Sequence, residues 1–178
     1  MFEGWDSFYL LVGGAAGAMI GLFFIVVTLI RGGGMKLRGA SAYMTPTVAH
    51  LAMVLLLSAI ATAPHIPPQA AGVIFGACAL TCLGFTGRAL VMFFTRSIQA
   101  AHWSDIWGYG VWPFVCCLTM VGSVAMIWVS PVWATRGIAA SVIFMLLIAI
   151  RNAWDLVTWI TAKDGDMQTL PPAGPDAT

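Results

Sequence analysis

Five apolar runs of membrane-spanning length, parted by short breaks of glycine, proline or charge, leave this chain few folds to adopt. A bilayer core takes about 20 apolar residues per helix, and the stretches 9–30, 43–63, 69–95, 106–129 and 132–162 each supply them. The breaks have physical causes. Arg31-Gly32-Gly33-Gly34 stops the first run, and Pro64-His65-Ile66-Pro67-Pro68 is too proline-rich to stay helical. Polar residues over 96–105 and the pair Ser130-Pro131 separate the remaining runs. The fifth run exceeds what a bilayer needs, so tilt or projection beyond it is expected. The expected fold class is all-α: an integral membrane bundle of five transmembrane helices over 1–162, with a disordered tail over 163–178.

Charge supports the same class. Only 8% of residues are charged and 60% are apolar, whereas a soluble domain carries roughly 25% charged residues. The N-terminal Met1-Phe2-Glu3-Gly4-Trp5-Asp6 is acidic where a secretory signal would be basic, so the first run is read as a genuine span. A net charge of +1 supplies no basic stripe for phosphates, so nucleic acid is not an expected partner.

Orientation follows from lysine and arginine. With the N-terminus outside and the C-terminus cytoplasmic, the inner side receives Arg31, Lys36, Arg38, Arg88, Arg96, Arg151 and Lys163, and the outer side only Arg136. Trp5, Trp128 and Trp133 then fall at the outer interface, and Trp103, Trp107 and Trp159 at the inner one. A weak internal repeat fits this frame. Pro46, Pro67 and Arg88 follow one another through the hairpin of spans two and three, as Pro113, Pro131 and Arg151 do through spans four and five.

Two sets of residues stand out. Gly13, Gly17 and Gly21 recur every four residues along one face of the first span, where they let another backbone approach closely. The first span has no hairpin mate, which points this face toward an oligomer contact. The second set is polar. His50, Arg88 and Asp155 lie roughly 10 Å in from the cytoplasmic ends of their spans at the rise of an α-helix, with Arg151 and Asn152 a turn deeper. Charged groups cost several kcal/mol in hydrocarbon, so they are expected to face the bundle interior or water and to find partners. Arg151 and Asp155, four apart, share a helix face. Two readings stand side by side: a buried network that holds the bundle, or an inner vestibule lined by His50, Arg88, Arg151, Asn152 and Asp155 that passes a small ion or solute. Two arginines against one aspartate favour anions.

Other motifs carry less. Gly108-Tyr109-Gly110 echoes a potassium-channel filter, but it opens a full span instead of a re-entrant loop and reads as an interfacial aromatic with two small packing residues. Cys78, Cys82, Cys116 and Cys117 sit in apolar runs, where cysteine packs as a small hydrophobe, so no disulfide framework and no metal site are expected. His50, His65 and His102 share no common depth, which argues against haem, and no cofactor is expected.

The stretch Val12-Gly13-Gly14-Ala15-Ala16-Gly17-Ala18-Met19-Ile20-Gly21-Leu22-Phe23 and its continuation to Leu29 resemble the opening span of a family of small, uncharacterised bacterial membrane proteins. Arg151-Asn152-Ala153-Trp154-Asp155-Leu156 is similar to the final-span motif of that family. The resemblance implies a multi-pass protein of the bacterial inner membrane and brings no activity with it. The functional expectation is therefore a homo-oligomeric channel or transport-type protein, with a non-catalytic accessory or assembly subunit of a larger membrane complex as the alternative. No enzyme is expected, because a lone intramembrane aspartate and a lone histidine on different helices make no nucleophile–base or paired-carboxylate site.

Overall fold

The computed structural model describes residues 2–32, 41–95 and 106–168. The described chain is all-helical, with five helices long and apolar enough to cross a membrane. Helix α1 spans Asp6–Gly32, α2 Ser41–Thr62 and α3 Pro68–Thr95. A π-helical segment, Ile106–Val111, leads into α4, Trp112–Ala125, which closes in a 3-10 turn over Met126–Trp128. Helix α5 runs over Pro131–Gln168. It continues six residues past the boundary expected at Ala162, since none of Lys163 to Gln168 is proline and the helix ladder meets no obstacle. Lys36, Arg38, Arg96, His102, Trp103 and residues 169–178 lie outside the described residues.

Prolines set the starts. Pro68 and Pro131 open α3 and α5, where a missing N–H costs nothing because the first turn has no acceptor for it. Ahead of α1, Gly4 adopts φ 81°, a conformation open to glycine without a Cβ penalty. That turn folds Phe2 back beneath the bundle, 5.3 Å from the ring of Tyr9 and 5.2 Å from that of Phe75. Tyr9 and Phe75 are fully buried, so these rings close the end of the bundle at which α1 begins.

Glycine contacts fix the packing. A Cβ at Gly13 would sit 2.8 Å from Cβ of Ser58, and one at Gly17 would reach Leu55 at 3.9 Å. Residue numbers rise on α1 as they fall on α2, so the two are antiparallel and closely packed. Gly13 is therefore engaged within the chain by α2, which is the mate the sequence had not shown for the first span. Nothing lies within 4 Å of a Cβ at Gly21. Gly72 receives Ile127 of the 3-10 turn, and Gly76 and Gly87 receive Val124 and Phe114 of α4, so α3 and α4 are antiparallel as well. Gly137 of α5 stands against Ser123 of α4, so close that a Cβ there would collide with its hydroxyl.

The order of neighbours is α1, α2, α5, α4, α3. Half of the spanning stretch of α5 is buried, against 22% for α1, which makes α5 the pillar of the bundle. The two hairpins are not alike: α4 and α5 pack along their lengths, whereas α2 and α3 touch sparingly. The outer surface is apolar, with Leu10, Leu11, Phe24, Val73, Leu80, Phe144 and Leu147 exposed. Such a surface suits lipid and not water.

Candidate functional site: the polar crossing of α4 and α5

The site is built by the π-helical segment. In that register a carbonyl looks to the N–H five residues on. For Gly108 this is Pro113, which has none. The carbonyl of Gly108 instead accepts from Nδ2 of Asn152 at 3.0 Å. The hydroxyl of Tyr109 donates to the backbone carbonyl of Asn152 at 2.9 Å. Asn152 is fully buried and Tyr109 nearly so. Two side chains thus clasp the helices reciprocally, each reaching the other's backbone.

Asn152 also organises its neighbours. Its Oδ1 accepts from Nη1 of Arg151 at 3.2 Å, while Nη2 of Arg151 lies 3.0 Å from Oδ2 of Asp155. The guanidinium is held between an amide and a carboxylate, both on its own helix. The Arg151 and Asp155 side chains are 44% and 38% exposed, so the pair lies on the bundle surface and not in its core. Gly108 makes this possible: a Cβ there would run into Nη1 of Arg151 and come within 3.1 Å of Oδ1 of Asn152. The glycine is a seat for the arginine.

The other expected members stand apart. Arg88 is exposed on α3, which packs against α4, the π-helical segment and α2. His50 is 2% exposed on α2, and neither ring nitrogen has a hydrogen-bond partner among the described residues. The structure therefore brings Arg151, Asn152 and Asp155 together and adds Gly108, expected only to pack, and Tyr109, expected as an interfacial aromatic. The signal for them was present. A tyrosine flanked by glycines and followed four residues later by proline marks a helix start with a spare carbonyl.

Small polar groups continue the crossing along α4 and α5. Cys116 Sγ donates to the carbonyl of Ser141 at 3.0 Å, and the hydroxyls of Thr119 and Ser141 are 3.2 Å apart. Hydrogen bonds of this kind bind transmembrane helices where apolar burial cannot. Among the described residues, no group of three or more histidine, cysteine, aspartate or glutamate side chains is placed to hold a metal ion.

The cysteines correct one expectation. Cys82 and Cys117 pair as a disulfide between α3 and α4, with Cα atoms 6.1 Å apart. Antiparallel packing brings these two positions level, and the separation is within ordinary disulfide reach. Cys78 and Cys116 are free. Alkylation of the denatured, unreduced protein should therefore modify two cysteines, rising to four after reductant, with Cys82→Ser releasing Cys117. Modification of all four before reduction contradicts the pairing.

No protein-family model, curated protein or solved structure matches the chain.

Proposed function

We propose that the protein is a homo-oligomeric channel or transport-type protein of the bacterial inner membrane, with its N-terminus outside and its C-terminus cytoplasmic. Arg151, Asn152 and Asp155 of each copy line the pathway. One observation carries this reading: an ion pair 44% and 38% exposed within a helix otherwise suited to lipid. A charged pair facing hydrocarbon is costly, and intramembrane charges normally face a bundle interior or a water-filled cavity. The described residues of one chain provide neither for Arg151 and Asp155. A ring of copies that turns this face of α5 inward provides both.

The chemistry of the pair supports a preference for anions. Arg151 carries five N–H donors and no acceptor, and the contacts to Asn152 and Asp155 engage only part of the fork. The remainder presents N–H donors to the pathway, while the pair itself carries no net charge. The orientation rests on the placement of lysine and arginine given above. The reading includes no catalytic step.

A second reading has its own observation. A groove of about 380 Å³ between α1 and α5, lined by Met19, Phe23, Val26, Ala153, Trp154 and Val157 among others, is wholly apolar. It would suit a helix of another membrane protein and favours an accessory subunit. Liposome flux separates the two. Purified protein reconstituted without other subunits is expected to pass chloride faster than potassium. Flux absent across a range of voltage, pH and salt contradicts the channel reading and leaves the accessory one.

A further inference from the structure

At the opposite end of α5 lies a second polar site that the pathway does not use. Glu3, Trp5, Pro131, Val132, Thr135 and Arg136 line a pocket of about 300 Å³, at the small end of the range for ligand sites. It brings together one acid and one base. Among the described residues Arg151 and Asp155 form an ion pair, yet Glu3 and Arg136 form none, although both face this one space. Both are exposed to solvent.

Each charge has a fitting surround. The Arg136 guanidinium sits 5.2 Å from the ring centroid of Trp133, which steadies it from one side. A guanidinium suits a carboxylate. Across the pocket, Glu3 offers a carboxylate beside the indole of Trp5, a combination that suits an ammonium. Thr135 is buried, and its hydroxyl donates to the carbonyl of Pro131 at 2.8 Å. Recognition of charge therefore falls to Glu3 and Arg136.

We propose that this pocket binds a small zwitterion, one ammonium and one carboxylate on a short aliphatic carbon chain, with the ammonium at Glu3 and the carboxylate at Arg136. The assignment stands on the pocket itself and is independent of the channel reading, since binding is measured without flux.

Equilibrium binding to the purified full chain tests it, with glycine, β-alanine and γ-aminobutyrate as a ruler of charge separation. Acetate and methylammonium serve as single-charge controls. At least one zwitterion is expected to bind saturably and at least about tenfold more tightly than either control, the effect of one charge-assisted contact. Glu3→Gln and Arg136→Gln should each weaken it by about tenfold or more. Arg136→Lys, which keeps the charge, should retain binding within a few-fold, and this guards against loss through misfolding. No saturable binding by any of the three, equal binding of a control, or binding unchanged in both glutamine variants overturns the proposal.

Discussion

Gly108→Val is expected to destabilise the protein by about 2–3 kcal/mol, the range of an overpacked interface plus a lost buried hydrogen bond. The cause is local. The new side chain would occupy the seat of the Arg151 guanidinium and press on Oδ1 of Asn152. If α4 and α5 separate to admit it, the Asn152 amide loses the carbonyl of Gly108 and the hydroxyl of Tyr109 loses the carbonyl of Asn152. The exposed Arg151 side chain can swing aside, but the fully buried Asn152 cannot, so the 3.1 Å contact with its Oδ1 decides the effect. Gly122→Val on α4 is the control, since nothing lies within 4 Å of a Cβ there. Thermal unfolding in detergent should place Gly108→Val well below the control. Equal melting temperatures would mean that the crossing does not depend on this glycine.

How much of this could be read beforehand depends on which interaction decides each feature. The five spans were legible because bilayer thickness and backbone hydrogen bonding act on each segment separately, through local composition. Helix ends at Pro68 and Pro131 were legible for the same reason: proline's missing N–H is a local fact. Neighbour relations were not. Nothing local to the first span announces that Gly13 meets Ser58, or that Cys82 rather than Cys78 lies level with Cys117. These follow from the antiparallel registers of pairs of helices, which small residues on both partners set together.

The polar residues divide along the same line. Arg151 and Asp155 are four apart on one helix, and their pairing needed no tertiary knowledge. Arg88 and His50 were grouped with them by depth alone. Depth gives height in the bilayer but not direction around the helix axis, and the structure turns Arg88 outward and His50 inward. Gly108 and Tyr109 were the converse case. Their role rests on the π-helical register before Pro113, a feature of the backbone that residue types alone suggest but do not dictate.

The second large effect concerns Asp155→Asn. The substitution keeps the shape and removes the negative half of the pair, leaving the Arg151 guanidinium held only by Oδ1 of Asn152. In the channel reading each copy then adds one uncompensated positive charge to the pathway. Charge separations of a few Å at intermediate dielectric are worth several kcal/mol before screening, so even a heavily screened remainder raises chloride over potassium permeability by about tenfold. Arg88→Gln removes an exposed arginine on α3, whose neighbours are α4, the π-helical segment and α2, and should leave selectivity unchanged.

The decisive measurement is the reversal potential of currents from the purified protein in planar bilayers under a potassium chloride gradient, compared with Asp155→Asn and Arg88→Gln. The account predicts a wild-type current biased toward chloride, a shift further toward the chloride potential in Asp155→Asn, and no shift in Arg88→Gln. A silent wild-type protein, or an Asp155→Asn current that reverses where the wild type does, would contradict a pathway lined by the α5 ion pair.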